Sequence, residues 1–549
     1  MEVKTVWISS LEKVFADEDR PFKEQTSGSA LRGEKYHFQL AVRTDEPLPE
    51  SRMRVEIESP IKEHIGCYVV KSIPVMLAAG PSSDDDFLRK SPGLYPDLLE
   101  PCNMNMSITH DQWRSLYFEA DIPKNLNPDT YDITVSFFKV DDNTPLSENT
   151  FELKVIDATL PKQKLLYTCW FHNDCLSLYY DAPVFSEKYW EIVNNYMSNA
   201  AKYGMNMILT PIFTPALNTA INTERPTVQL VVIKHCDNGW EFDFGNLERY
   251  VKTALDNGIT HFEFSHLCTQ WGAWCTPKIM VWENGELIQK FGWHTASVSD
   301  EYISFLYAFL PELKSKMTEM GLLDNCYFHI SDEPNLKQID NYSDFCNKVA
   351  PLLENCHVID ALFDYEYYKR GIIKTPIPSN DNVEDFIEKG LQERWTYYCC
   401  GQLDKVSNRM VAMPSYRTRI LGFQLFKYKI DGFLQWGYNF WFDSLSRHFL
   451  NPYLCTDCED CYPAGDAFMV YPAKDGTPIP SIREFVFLDA LQDLRTLELL
   501  ESIIGFNQTI KVLEENSPEP ITFKNWPRNI SYITDTREKI NALISEKQK

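Results

Sequence analysis

No stretch of the 549-residue chain approaches the roughly 18 consecutive apolar residues that a membrane-spanning helix needs, so no membrane insertion is expected. Positive charge is in deficit. Lys and Arg total 53 against 78 Asp and Glu, a formal charge of -25 that repels phosphate backbones and argues against nucleic acid as a partner. The first residues, MEVKTVWISSLEKVF, lack the basic segment, apolar run and small-residue cleavage site of a signal peptide. The 15 cysteines are odd in number and scattered, which fits reduced thiols better than a disulfide framework. Together these absences lead us to expect a cytoplasmic protein. Internal repeats and low-complexity segments are also missing, and nothing in the sequence speaks for or against a homodimer.

Core-forming material is plentiful, with 44% hydrophobic residues and 13% aromatics. The 13 Trp and 28 Tyr suit stacking on the apolar faces of sugar rings, although most aromatics in a large protein fill core. Over residues 1–160, short β-rich runs such as YHFQLAV, MRVEIE, RSLYFEADI, YDITVSFF and FELKVI alternate with turn clusters, which predicts a β-sandwich. After LPKQK the rhythm changes to short apolar strands separated by helical patterns. Eight strand candidates follow: LLYTCWF, MNMILTPIF, HFEFSHL, CYFHIS, HVIDALF, the weak IIKTPIP, WTYYCC and GFLQWGY. Eight is the number that closes an α/β barrel, so residues 165–501 are read as a (β/α)₈ TIM barrel. Two hairpin signals, at DNG and ENG turns, are expected to decorate its rim. Residues 502–549 read as a helical C-terminal appendage.

Barrel enzymes gather their catalytic groups at the C-terminal ends of the strands, so position filters the candidates. In NCYFHISDEPN, Asp332 and Glu333 fall where the fourth strand ends. Adjacent carboxylates there divide labour well, one holding charge or orienting a substrate amide while the other moves a proton. They equally suit a helix start, with Asp332 as cap, Glu333 complementing the dipole and Pro334 in the first turn. Position alone leaves these readings balanced.

HISDEPN, WTYYCCG, GFLQWGYNFW and the closing PAGDAFMVYPAKDGTPIPSIREFVFLDALQDLRTLELLE, in that order, resemble glycoside hydrolase family 123 over most of residues 165–501, with the β-sandwich in front as in that family. The resemblance implies exo-hydrolysis of terminal β-linked N-acetylgalactosamine from a glycan or glycolipid, with retention and by substrate-assisted catalysis. In such a reaction the 2-acetamido oxygen attacks the anomeric carbon and the enzyme supplies no nucleophile. On that basis Asp332 stays ionised and orients the acetamido group, while Glu333 has a raised pKa and acts first as acid and then as base. Tyr397 and Tyr367 are candidates for the donor to the acetamido oxygen, and strand alternation puts Trp395 on the same side as Tyr397. Trp436 and Trp441 are candidate sugar platforms, and Asn439 is a candidate hydroxyl ligand. His172, in a cluster with Asn173 and Asp174, is a further binding candidate. Each of these has an ordinary alternative as core or turn residue.

The implied mechanism needs no cofactor or metal. Cys455, Cys458 and Cys461 form an incomplete thiol motif, because position 465 is Gly. Two other functions stay open: a catalytically silent glycan-binding barrel, and a conventional two-carboxylate glycosidase pairing Glu333 with Asp364 or Glu366.

Overall fold

The computed structural model describes residues 3–48 and 51–547. Residues 1, 2, 49 and 50 of the expected sandwich and the last two of the expected tail helix lie outside them.

Two five-stranded sheets fill the N-terminal part. One carries Val3–Ser9, Lys35–Thr44, Arg114–Asp121, Ile65–Val75 and Gly93–Pro101 in that spatial order. The other carries Ser27–Arg32, Pro145–Thr159, Thr130–Lys139, Arg52–Glu58 and Asn105–Ser107. Their facing side chains, among them Trp7, Phe38, Leu40, Phe118, Val135, Phe137 and Phe151, share one apolar core. Alternation fails in YHFQLAV, where six consecutive residues are buried. The reason is a second cover: His37 stacks on Phe485 at 4.6 Å and its Nδ1 lies 2.7 Å from Asp489, both on the long helix Ile482–Ile504.

The eight predicted barrel strands are all present: Leu166–Cys169, Met207–Thr210, His261–Phe264, Cys326–Phe328, His357–Ala361, Thr375–Ile377, Trp395–Tyr397 and Gly432–Gln435. They form one parallel sheet in the spatial order 6-5-4-3-2-1-8-7. Between the sixth and seventh strands the ring is drawn together by a parallel bridge, Ser379 to Tyr397. Pro376 and Pro378 interrupt the apolar pattern there, which explains why that strand is faint in the sequence. Trp170, Leu209, Tyr327, Ile359, Ile377, Trp395, Tyr397 and Leu434 make the interior cluster. Trp395 lies so close to Gly432 of the neighbouring strand that any side chain there would overlap its ring.

Helices follow the strands as expected, for example Glu187–Lys202 and Asp300–Glu319, each capped by a serine, Ser186 and Ser299. Before the eighth strand the helical segment divides into Tyr416–Arg419 and Leu421–Tyr428. The hairpins are Val232–Cys236 with Gly239–Asp243, and Ile279–Glu283 with Glu286–Phe291. They join edge to edge as a four-stranded sheet that packs Trp240 against Phe305 of a barrel helix.

Helix Ile482–Ile504 is capped by Ser481 and stopped by Gly505 at φ +82°. It is buried along most of its length although it carries acidic residues, and each of three acids meets a partner. Asp489 faces His37, Asp493 is bonded by Arg419 and Arg537, and Glu484 accepts from Asn199. Arg537 belongs to the tail helix Ile530–Lys547 and also grips Glu34 of the sandwich at 2.8 Å. The tail is therefore packed into the structure rather than appended to it. At the start of the long helix, buried Arg483 makes two 2.9 Å bonds to buried Asp97 of the sandwich and donates to the carbonyls of Gly465 and Phe468.

Arg483→Leu leaves Asp97 as an uncompensated buried charge, which costs about 3–5 kcal/mol. Urea unfolding is expected to show a loss of that size, whereas a loss within about 1 kcal/mol would contradict this role for the pair.

Candidate active site

The fourth barrel strand ends in a buried ionic chain. Glu263 of the third strand accepts from Thr168 Oγ1 at 2.6 Å and Trp170 Nε1 at 2.7 Å, and is bonded by His329 Nε2. The other ring nitrogen of His329, Nδ1, lies 2.9 Å from Asp360 Oδ1. Asp360 in turn accepts the Tyr342 hydroxyl and the backbone N–H groups of Ile330 and Ser331, both at 3.1 Å. Burial by itself would lower the pKa of His329, but the flanking Glu263 and Asp360 outweigh it and hold the imidazole up at about 10. His329 is thus an imidazolium between two carboxylates.

Beyond this anchor the chain turns. Glu333 sits in the left-handed region at φ +42°, a strained setting for a non-glycine residue. Its N–H is held by Ala361 O at 3.0 Å, and Asp332 O accepts Trp271 N at 2.8 Å. The helix-cap alternative does not hold. Asn335 is the cap of the following helical turn, in a reciprocal capping box with Gln338, three residues after Asp332.

Asp332 and Glu333 both line a cavity of about 190 Å³ at the barrel mouth, with Trp170, Asn218, Gln270, Trp271, Tyr397, Cys399, Cys400, Trp436 and Tyr462. They are the acidic side chains among its lining residues. Burial pushes the Asp332 carboxyl well above the usual range, with Glu333 and Asp360 pushing the same way and cationic His329 opposing. Burial also raises Glu333, while the Tyr397 hydroxyl, donating to Glu333 Oε1 at 2.6 Å, draws it down. The protein's own groups therefore raise both acids, not Glu333 alone, because the Asp332 carboxylate meets no hydrogen-bond donor among the described residues.

Of the other candidates, Tyr397 and Trp436 line the cavity and the rest do not. The Trp436 indole donates to Asp466 Oδ2 at 2.9 Å, and Arg409 holds the Asp466 carbonyl at 2.9 Å. His172 is buried under Trp436: Nε2 bonds the Trp436 carbonyl at 2.9 Å and Nδ1 faces Arg225 at 3.0 Å. Burial and Arg225 keep that imidazole neutral. Asp174 is engaged by Arg225 through two bonds of 2.7 and 2.6 Å, so the His-Asn-Asp cluster braces a loop instead of facing sugar. Asn439 spends both ends of its amide on the backbone of His172. Trp441 is a core residue against Tyr179 and Tyr196. Tyr367 donates to Asn335 O at 2.8 Å beneath the loop that carries Asp332 and Glu333, and Trp395 lies deep in the barrel interior with its indole on Glu393. Asp364 and Glu366 are also outside the cavity, and Glu366 pairs with Lys369 and Arg370.

Sequence reasoning missed Trp170, Asn218, Gln270, Trp271 and Tyr462. Alternation from Leu166 through Thr168 already pointed Trp170 inward. The others sit on irregular loops, Asn218 at φ +44° and Trp271 at φ +59°, where no periodicity operates. The hairpins expected at the barrel rim contribute no lining residue.

Two trios among the described residues bring potential metal ligands together, His266 with His329 and Asp360, and Asp443 with His448 and Glu459. In the first, both nitrogens of His329 are already bonded to carboxylates. In the second, Asp443 accepts two backbone N–H groups and His448 pairs with Glu459. Cys455, Cys458 and Cys461 form neither of these trios: Cys458 is buried, Cys461 is exposed, and Cys455 accepts the Glu459 N–H.

A family model described as "Glycoside hydrolase 123, catalytic domain" matches residues 170–500. Among solved structures, the chain is similar to a family 123 glycoside hydrolase from Clostridium perfringens, solved in work on glycolipid glycan hydrolysis. The TM-score is 0.73 at 15% identity, covering 100% of this chain and 98% of that one. A Ruminococcus gnavus beta-glucuronidase in complex with uronic isofagomine gives a TM-score of 0.32 at 10% identity, covering 88% of this chain and 72% of that one. No curated protein matches.

Because the pKa of His329 is raised from 6.5 to about 10, its stabilising effect is fully present below pH 6.5 and is lost as pH rises through about 10. His329→Gln is therefore expected to melt below the parent at neutral pH. Its melting temperature should also fall less steeply than the parent's from neutral pH to about pH 10. Parallel melting curves would contradict a cationic His329.

Proposed function

The chain belongs to glycoside hydrolase family 123, and from that premise we propose that it removes terminal β-linked N-acetylgalactosamine from a glycan with retention, the substrate's own acetamido group acting as nucleophile. The observation that carries this reading is the pairing of acids. The two carboxyls of the cavity belong to consecutive residues on one loop, while a conventional glycosidase needs two carboxylates flanking the scissile bond. With both acids on one side, the nucleophile comes from the substrate.

In the proposed reaction Asp332 accepts the acetamido N–H. That donor is what the Asp332 carboxylate lacks, so binding lowers its pKa and, with the imidazolium of His329 nearby, favours the anion. The acetamido carbonyl oxygen, made more nucleophilic, bonds to the anomeric carbon as the glycosidic bond breaks, and Glu333 gives its proton to the departing oxygen. Glu333, now a carboxylate, takes a proton from water as that water adds to the anomeric carbon, and the acetamide re-forms. Tyr397 holds Glu333 and, by exchanging partner, would donate to the acetamido oxygen. Trp436, fixed by Asp466, is the proposed sugar platform.

Two further lining residues support a sugar ligand. Asn218 and Gln270 are more than nine-tenths buried, and each has an amide nitrogen without a partner. Their oxygens are taken, Asn218 Oδ1 by Leu445 N and the Tyr462 hydroxyl, and Gln270 Oε1 by Asn218 N. Buried unpaired donors of this kind suit hydroxyl oxygens. The proposed catalytic barrel spans 165–501, with the sandwich of residues 1–160 and the tail of 502–549 bracing it. Because the Clostridium perfringens relative was solved in work on glycolipid glycan hydrolysis, a glycolipid glycan is the substrate to assay.

Turnover of an aryl β-N-acetylgalactosaminide without turnover of the matching aryl β-galactoside is the expected result, and the reverse would sink acetamido participation. Glu333→Gln is expected to lose about 10²–10⁴-fold on poor leaving groups and far less on good ones. Asp332→Asn should slow both kinds, because acetamido attack accompanies either departure.

A further inference from the structure

Two of the thiols face each other across neighbouring strands of the sandwich. Cys67 stands near the start of strand Ile65–Val75, and Cys102 directly follows strand Gly93–Pro101, its antiparallel neighbour. The register sets Tyr68 opposite Pro101, so the next pair is Cys67 with Cys102, and Cys102 N donates to Cys67 O at 2.9 Å. Opposed residues of such a bonded pair have Cα atoms about 5.5 Å apart, inside the roughly 4.4–6.8 Å that a disulfide spans. Both side chains are half-buried and pack against the sandwich core.

Their surroundings give the two sulfurs different roles. The Cys67 thiol, the backbone N–H groups of Met104 and Asn105 and the Lys71 ammonium together hold the Cys102 thiol down at about 7, against its burial. The same contact, with burial, pushes Cys67 up. Elsewhere burial raises the thiol, as at Cys169, Cys175, Cys268 and Cys326. Cys399 and Cys400 also touch, but they are consecutive, and Cα atoms about 3.8 Å apart fall short of a relaxed disulfide. A partly exposed thiolate that forms near neutral pH, beside a second thiol, is the arrangement best suited to exchange with disulfides. Cys102 also stands at a crossing. Residues 102–104 carry the chain from one sheet to the other, where Asn105–Ser107 pairs with Arg52–Glu58, and Met104 is left-handed at φ +60°.

We propose that Cys67 and Cys102 form a thiol–disulfide exchange site that takes a small neutral disulfide as oxidant and closes into a bond stapling the sheet crossing to strand Ile65–Val75. The Cys102 thiolate attacks one sulfur of the small disulfide and expels the other as a thiolate, leaving a mixed disulfide on Cys102. Cys67, losing its proton, then attacks Cys102 Sγ and expels the second half. Two protein thiols lose two electrons, the small disulfide gains them, and the two protons released end on its two product thiols. A neutral oxidant is favoured because the net charge of -25 repels anionic ones. Neither cysteine lines the barrel-mouth cavity, so the bond is expected to stiffen the sandwich and leave the site as it is.

The test is to treat the reduced full-length protein with bis(2-hydroxyethyl) disulfide at neutral pH, alkylate the remaining thiols under denaturing conditions and map the tryptic peptides by mass spectrometry. Trypsin cuts after Lys71, Arg89 and Lys90, so the two cysteines fall on separate peptides unless they are joined. A peptide pair joined through Cys67 and Cys102 is the expected product, with the oxidised protein melting a few degrees above the reduced one. Cys67→Ser, which keeps a hydroxyl donor beside Cys102, should stop at a hydroxyethyl adduct on Cys102 and lose the difference in melting. Cys102→Ser should give neither the joined pair nor an adduct on Cys67. Absence of the joined pair from the wild-type map overturns the proposal, and that map decides even where a variant fails to fold. An adduct on Cys67 in Cys102→Ser protein, formed as readily as the wild-type bond, overturns it as well.

Discussion

An imidazolium buried between two carboxylates sets the geometry of the barrel mouth. His329 joins Glu263 of the third strand to Asp360 of the fifth, and Asp360 also receives two successive backbone N–H groups from just past the end of the fourth. Three neighbouring strands are thereby locked at the level where the chain leaves the sheet. Only after that lock does the backbone turn into the strained conformation of Glu333. The cost of a left-handed glutamate, about 1–3 kcal/mol, is offset by bonds on both sides of it. The same cation lies close enough to oppose the rise in the Asp332 pKa, so one buried group serves both the shape of the loop and its charge.

A second chain of contacts reaches the site from the far side. Ser481 caps the long helix, Arg483 ties its first turn to Asp97 and to the carbonyls of Gly465 and Phe468, and Asp466 in that loop holds the Trp436 indole. The closing motif of the sequence is therefore a brace: it runs from the sandwich through a helix start to an aromatic wall of the cavity. The sandwich supports the site through this brace, since none of its residues line the cavity.

The fold was largely legible because its strands are short, apolar and regularly spaced, and even the faint sixth strand lies where IIKTPIP suggested. Asp332 and Glu333 were legible by position at a strand end, whereas their competing role as a helix start was settled by Asn335, whose capping box with Gln338 could have been read from N-x-x-Q. The binding candidates fared unevenly for one physical reason. His172, Asn439 and Trp441 stand just beyond strand ends, as functional residues do, but are buried against neighbours contributed by distant segments, notably Arg225 and Cys175. Partners separated by tens to hundreds of residues leave no local signal. Trp271 and Asn218 were invisible for the complementary reason, that left-handed loop residues carry no period. Tyr367, adjacent to the acidic alternatives Asp364 and Glu366, turned out to hold the loop from below.

In the proposed reaction Asp332 receives the substrate's amide while Glu333 moves the proton, with no enzyme nucleophile. A crystal structure with the thiazoline analogue of the oxazolinium intermediate derived from N-acetylgalactosamine tests it most directly. Tight binding is expected, with the thiazoline nitrogen within hydrogen-bond distance of an Asp332 carboxylate oxygen and Glu333 beside the position of the departing oxygen. A thiazoline that binds no better than N-acetylgalactosamine itself, or that turns its nitrogen away from Asp332, would contradict it.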